Sequence, residues 1–182
     1  MPQILIILAD GFEESEAVIT IDVLRRLDFD VTAAGLDRRQ VTGAHQLTVA
    51  ADALLAECHA ADFDAIVLPG GMPGARHLYE SDPVLKSLKA AYGAGRLCAA
   101  ICAAPIVLAR AGLLAGRTFT AYPGFEEYFS GGKPTGKPTE VDGRIITGRG
   151  PGATFAFAAR IAAELGRSEA VKTLYHGMFV TL

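Results

Sequence analysis

Short apolar runs alternate along the chain with longer segments whose apolar residues recur at helical spacing. The first run, QILIILA at 3–9, has no polar alternation, which predicts a strand buried on both faces. Residues 13–27 then carry an apolar stripe, with acidic residues early and Arg25 and Arg26 late, as expected for a helix. The two patterns together predict an α/β protein.

The same patterns predict the remaining elements. Ser81 and Pro83 are suited to cap and begin one helix, and the Gly/Pro-rich segment 130–139 is predicted to be a surface loop. Because neither a linker nor a repeat interrupts the chain, we expect a single domain over residues 1–182. The predicted strands are 30–36, 64–71, 97–101, 117–122 and 141–148, the last with a hairpin turn, and the predicted helices are 82–94, 103–111, 152–165 and 168–175.

Strands that alternate with helices indicate a mainly parallel sheet with helices on both faces. Ligands of such folds bind at the carboxyl ends of the strands. The loops that follow the three most apolar strands are therefore the candidate site: 10–16, 69–74 and 102–105.

Cys102 follows strand 97–101 directly and is surrounded by small residues in AAICAAP. A thiol at the start of a helix faces partial positive charge, which predicts a lowered pKa and a reactive thiolate. The small neighbours suit a strained strand-to-helix elbow. The alternative is a small buried apolar residue with no chemical role.

Two further segments accompany Cys102. Glu13, Glu14 and Glu16 can each stabilise a helix N-terminus, or one of them can point at Cys102, where a nearby thiolate favours its protonated form. The sequence does not select which one. The segment LPGGMPGA, at 68–75, is a turn that needs glycine, and it can also supply an N–H group to an oxyanion.

Composition excludes several classes of protein. About half of the residues are hydrophobic, and a net charge of −3 with dispersed basic residues argues against a nucleic-acid partner. The longest apolar segment, 97–109, is too short for a membrane span and contains Pro105. The first residues include no basic region, so we expect no secretory signal and a cytoplasmic protein.

Neither a disulfide framework nor a metal site is expected. The three cysteines are odd in number, and a strand would separate Cys98 from Cys102 by roughly 13 Å. The segment TGRGPGA, at 147–153, looks like a phosphate loop but has no Walker lysine, so no nucleotide cofactor is expected. The histidines are isolated in the sequence: His45, His59, His77 and His176.

Four segments in the same order resemble the ThiJ/PfpI superfamily, in particular the Parkinson disease protein-like branch and its bacterial members. They are LADGFEESEAVITIDVLRR, DAIVLPGGMPGA, AAICAAP and TGRGPGATFAFA. The resemblance implies a flavodoxin-like fold and a homodimer. It also implies that Cys102 is the nucleophile, that Glu16 is the catalytic acid, and that the N–H groups of Gly71 and Ala103 contact an oxyanion.

The chain departs from the pattern of that superfamily at two positions. Protease and amidotransferase relatives place a histidine directly after the cysteine or elsewhere in a triad, whereas Ala103 follows here and no motif contains a histidine. Tyr122 stands where the human branch member has a histidine. A histidine-dependent protease is therefore disfavoured, and the Tyr122 hydroxyl either binds substrate or closes the pocket.

The resemblance implies a cofactor-free enzyme that acts on a small aldehyde or dicarbonyl, as a glyoxalase or deglycase. Two alternatives remain open at this point. One is a sensor of oxidative stress, or redox chaperone, in which Cys102 is oxidised. The other is a cysteine hydrolase of cyclic imides or activated metabolites.

Overall fold

A seven-stranded sheet forms the centre of the computed structural model, which describes residues 1–181. Its strands lie in the order β5-β2-β1-β6-β7-β9-β8, and all neighbours are parallel except β8 and β9. A separate antiparallel hairpin is formed by β3 and β4. The strands are β1 Gln3–Leu8, β2 Asp30–Gly35, β3 Gln40–Thr42, β4 Thr48–Ala50, β5 Ala53–Leu54, β6 Ala65–Leu68, β7 Leu97–Ile101, β8 Thr139–Asp142 and β9 Ile145–Gly148.

Helices cover both faces of the sheet. Helices α1, α5 and α6 pack on one face with Ile4 and Ile6 of β1, while α2, α3 and α4 pack on the other with Leu5 and Ile7. Burial on both faces explains why the β1 sequence has no polar alternation. The helices are α1 Glu14–Arg26, α2 Gly74–Glu80, α3 Asp82–Gly93, α4 Pro105–Arg110, α5 Thr154–Glu164 and α6 Ser168–Gly177.

The predicted flavodoxin-like α/β fold is confirmed, and most predicted elements are present. The 82–94 helix is α3, and the Ser81 hydroxyl accepts a hydrogen bond from the Val84 N–H at 3.4 Å. The 141–148 segment is the β8–β9 turn and strand. Helix α4 begins at Pro105, later than the predicted residue 103. No helix in residues 1–181 combines the length and the apolar character needed to cross a membrane.

The predicted strand at 117–122 is wrong. Its backbone is held by side chains of the β8–β9 hairpin: the Thr118 N–H donates to Asp142 at 2.8 Å, and the Thr120 N–H donates to the Thr147 hydroxyl at 2.9 Å. Polar and apolar residues alternate in the sequence of this segment, but Phe119, Thr120 and Ala121 are all buried and the segment does not join the sheet. The sequence patterns also missed β3, β4, β5 and α2.

Three adjacent parallel strands, β1, β6 and β7, end at the same edge of the sheet. The three loops selected from the sequence, 10–16, 69–74 and 102–105, follow these strands directly. The topology therefore places the predicted site residues of all three loops at one edge.

Candidate functional site

Cys102 lies at a strained turn between β7 and α4. Its φ is 63°, a left-handed conformation that costs a non-glycine residue on the order of 1–3 kcal/mol. The backbone is fixed on both sides, because the Cys102 N–H donates to the Gly148 carbonyl at 2.9 Å and the Cys102 carbonyl accepts from the Tyr122 N–H at 2.8 Å. The residue is 8% exposed. The chain thus holds the thiol in one orientation, as the predicted elbow requires.

Glu16 is the acidic residue that faces Cys102. It projects from the first turn of α1 and is fully buried. Its Oε2 accepts the Gly70 N–H at 2.8 Å, while its Oε1 has no hydrogen-bond partner among the described residues. A buried carboxyl oxygen without a partner is costly unless it carries a proton or meets a ligand.

Gly70 separates the two side chains and was not singled out from the sequence. A Cβ on Gly70 would lie 2.6 Å from the Cys102 Cβ and 2.8 Å from Glu16 Oε2. The absence of a side chain here is what allows the thiol and the carboxyl to approach each other. The Pro-Gly-Gly that ends β6 carried this signal, but its glycines were expected only to form a turn and to supply an N–H group to an oxyanion.

Two backbone N–H groups, those of Gly71 and Ala103, favour the thiolate form of Cys102 and work against the rise of its pKa. Gly71 adopts a φ of +87°, and a Cβ there would lie 2.3 Å from the Glu13 backbone nitrogen, so glycine is required. The structure therefore brings together the residues proposed from the resemblance. Two N–H donors at one point can stabilise a thiolate or an oxyanion formed beside it.

Burial raises the pKa of Glu16 to about 7, although the Gly70 N–H and the Cys102 thiol favour its carboxylate. Burial also raises the pKa of Cys102 to about 12; the Glu16 carboxylate adds to this shift, and the two N–H groups oppose it. The predicted lowering of the thiol pKa by a helix N-terminus is wrong, since α4 begins only at Pro105 and has six residues.

The two raised pKa values have a common origin. A buried pair resists carrying two negative charges, so at least one proton stays on the pair at neutral pH, and the singly protonated form predominates above about pH 7. When that proton is on Glu16, the Cys102 sulfur is a thiolate that faces two N–H donors. The site can therefore supply a nucleophile and an acid at the same time.

Glu14 is not a solvated residue of the first helical turn. Its side chain is only 12% exposed, and its carboxylate accepts the His45 N–H at 2.6 Å and lies 3.0 Å from the His45 Nδ1. His45, isolated in the sequence, is thus paired in the fold.

Ligand atoms of Glu13, Glu14 and His45 lie within 4.8 Å of one another, a spacing that could hold a cation. The expectation of no metal site remains a prediction.

Tyr122 is 47% exposed and lines a cavity of about 510 Å³ next to the Cys102 turn. A larger cavity of about 820 Å³ lies at the ends of β1 and β2. Cys58 and His77 line the larger cavity, which none of the predicted catalytic residues reaches. All three cysteines are free, as predicted.

Comparisons with known proteins agree with this geometry. Residues 2–164 match the model of the DJ-1/PfpI family. Protein dj-1beta of Drosophila melanogaster is 40% identical over 179 residues, which cover 97% of this chain and 96% of the relative. A protein named a deglycase, from Pyrococcus abyssi, is 32% identical over 85% of this chain and 94% of its own length.

Solved structures give the same result. The structure described as oxidised Toxoplasma gondii DJ-1 is similar with a TM-score of 0.94, at 33% sequence identity and over 100% of both chains. The family model and the relatives each cover most of the chain. The chain therefore belongs to the DJ-1/PfpI family, as the resemblance of its motifs to ThiJ/PfpI proteins indicated.

Proposed function

We propose that this protein is a cofactor-independent enzyme that acts on small reactive carbonyls through Cys102 and Glu16. The observation that carries the proposal is the fully buried Glu16 carboxyl, whose Oε1 has no partner among the described residues and which meets Cys102 across the side-chain-free Gly70. An aldehyde carbon is electrophilic, and its addition to a thiolate needs no leaving group. The site supplies the thiolate, the oxyanion contacts and the proton that this addition requires.

The first step forms a bond between the Cys102 sulfur and the aldehyde carbon of a 2-oxoaldehyde. The carbonyl electron pair moves to oxygen, where the N–H groups of Gly71 and Ala103 stabilise the charge and Glu16 delivers its proton. The product is a hemithioacetal, and Glu16 is left as a carboxylate that can act as a base.

The second step moves a proton within the hemithioacetal. Glu16 removes the proton from the carbon bonded to sulfur and returns it to the neighbouring carbonyl carbon through an enediol, which leaves a thioester. Water then cleaves the thioester, releasing a 2-hydroxy acid and restoring the thiol. The former aldehyde carbon is oxidised and its neighbour is reduced, so the electrons balance within the substrate. The deglycase name of the Pyrococcus abyssi relative supports chemistry on carbonyl compounds or their adducts.

The test is conversion of methylglyoxal to lactate by purified protein without glutathione. We expect slow turnover that is lost in Cys102→Ser and reduced about a hundredfold or more in Glu16→Gln, the usual effect of removing an acid–base group. Glu13→Gln is the matched control, because it removes an acidic charge from the same loop but not from the pair. Full turnover by Glu16→Gln would contradict the mechanism.

A redox sensor is the second candidate function. It is favoured by the oxidised state described for the Toxoplasma gondii relative, and by the unpartnered Glu16 Oε1, which in its protonated form could donate to a sulfinate oxygen on Cys102. Peroxide titration followed by peptide mass spectrometry separates the two functions. Stoichiometric sulfinate at Cys102 without methylglyoxal turnover favours the sensor. Activity on cyclic imides or activated esters alone would favour the hydrolase.

A further inference from the structure

The cavity beside Cys102 has apolar, rigid walls and one charged residue. Prolines form much of its lining, together with the ring of Tyr122, and Arg149 is its only charged lining residue. Proline fixes its own backbone, so such walls keep their shape without a bound ligand. The prolines are Pro123, Pro138 and Pro151.

This cavity is built from the two segments that hold the Cys102 turn. Tyr122 donates its N–H to the Cys102 carbonyl, and Gly148, which accepts the Cys102 N–H, directly precedes Arg149. The Tyr122 ring also packs over Gly150, where a Cβ would lie 3.2 Å from the ring. The cavity therefore adjoins the backbone of Cys102, the residue whose sulfur would carry a bound molecule.

Arg149 is exposed and has no partner for its guanidinium among residues 1–181. Seven other arginines form ion pairs with carboxylates there, and Arg110 and Arg167 lie over aromatic rings. Arg144 and Arg160 are also without a described partner, but neither lines this cavity. An unpaired guanidinium against apolar walls is available to a carboxylate, which it can bind through two parallel hydrogen bonds.

We propose that Arg149 is a specificity-determining residue that binds a carboxylate on the molecule reacting with Cys102. The preferred substrate class is then a 2-oxoaldehyde with a carboxylate at its far end, rather than the neutral methylglyoxal. The claim that this aldehyde is converted to product rests on the proposed function, whereas the binding of an anion near Cys102 does not. The anion site is therefore tested first without turnover.

The first test compares two alkylating reagents at Cys102, anionic iodoacetate and neutral iodoacetamide, by peptide mass spectrometry. The measured quantity is the rate of alkylation by iodoacetate divided by the rate of alkylation by iodoacetamide. A change in the reactivity of the thiol affects both rates equally and cancels in this ratio. We expect Arg149→Gln to lower this ratio about tenfold, the size of a hydrogen bond to a charged group, and Arg149→Lys to lower it less. The matched control Arg144→Gln, which removes an equal charge from another exposed arginine, should leave the ratio unchanged. An unchanged ratio in Arg149→Gln overturns the proposal.

The second test compares turnover of 4,5-dioxopentanoate with that of the neutral 2-oxopentanal. We expect the wild type to prefer the carboxylate in kcat/KM, and Arg149→Gln to lower the ratio of the two kcat/KM values about tenfold. If neither aldehyde reacts but the alkylation ratio still falls, the carbonyl function fails and the anion site stands. If both aldehydes react equally well in wild type and Arg149→Gln, the function stands and the role of Arg149 is overturned.

Discussion

At the scale of single residues, the proposed chemistry depends on one proton that Cys102 and Glu16 share. The thiol pKa of about 12 and the carboxyl pKa of about 7 both reflect burial of the pair. The reactive species, with the proton on Glu16 and charge on sulfur, can form only after the fully protonated pair has lost its first proton. The pH dependence of the thiol therefore belongs to the pair and not to Cys102 alone.

Cys102 is expected to be the fastest-reacting thiol, with a rate of iodoacetamide alkylation that rises as pH passes through about 7. The reason is that Cys102 lies beside the buried Glu16 carboxyl, which can take its proton, and that the N–H groups of Gly71 and Ala103 favour its thiolate. Cys98 is fully buried, and burial raises its pKa to about 12 with no opposing contact; burial also raises the pKa of Cys58. Peptide mapping of the folded protein measures all three rates. Equal labelling of the three cysteines would count against the assignment.

Glu16 is expected to lower the stability of the fold above about pH 5. Its pKa is about 7 in the folded state against an ordinary value of 4.5, so the folded protein binds this proton more tightly than the unfolded chain does. Stability then falls as pH rises from 4.5 to 7 and stays lower above that range, by on the order of 3 kcal/mol.

Glu16→Gln has no charge to bury, so relative to wild type it should gain stability at pH 8 and lose that gain near pH 4.5. Urea denaturation at fixed protein concentration measures the difference between the two pH values. Glu127→Gln, at an exposed position, is the control for removal of an acidic charge. The same stability difference at both pH values would show that Glu16 titrates normally in the fold.

At the scale of secondary structure, the site depends on contacts between elements far apart in the chain. Glu14, in the first turn of α1, holds the β3–β4 hairpin through the N–H groups of His45 and Leu47. Partial burial works against ionisation, but these hydrogen bonds and the His45 ring lower the pKa of Glu14 overall. Their contribution is therefore present above pH 4.5 and is lost as pH falls below it.

Glu14→Ala should loosen this hairpin. We expect the amide protons of His45 and Leu47 to exchange with solvent about tenfold faster, because each loses a charged acceptor. Hydrogen exchange followed by NMR measures these two sites against the β7 amides as an internal reference. Glu80→Ala, which removes an exposed carboxylate paired with Arg76, is the control and should leave the hairpin unchanged. Unchanged exchange in Glu14→Ala would mean that the hairpin is held by other contacts.

The central strands and the Cys102 turn were predictable because parallel strands buried on both faces leave continuous apolar runs, and the carboxyl ends of such strands mark the site. Contacts between segments that are far apart in the chain leave no such pattern in the sequence. The Glu14–His45 pairing and the side-chain anchoring of Thr118 and Thr120 depend on the completed fold. The pKa of the Cys102 thiol was predicted to be lowered, but burial and the neighbouring Glu16 raise it. Helix α4 begins only at Pro105, three residues after Cys102, so its N-terminus does not offset this rise.

At the scale of the whole molecule, we predict that the outer face of α1 forms an interface with a second copy of the chain. Val18 is 43% exposed, and it lines an apolar depression with Ile21 and Val49 of the neighbouring hairpin. Ile21 and Val49 are half-buried. An exposed aliphatic residue beside half-buried ones suits a protein–protein contact. A homodimer that uses this face would cover the helix that carries Glu16, and would link assembly to the geometry of the site.

The expected result is a homodimer, with a mass by light scattering of twice the 19.1 kDa chain at micromolar concentration. Val18→Asp would place a charge in the buried patch and should shift the mass toward the monomer, because an unpaired buried charge is costly. Leu47→Asp removes another exposed apolar residue, 51% exposed and outside the depression formed with Ile21, and serves as the control. A wild-type monomer would reject the dimer, and a dimeric Val18→Asp would place the interface on another face.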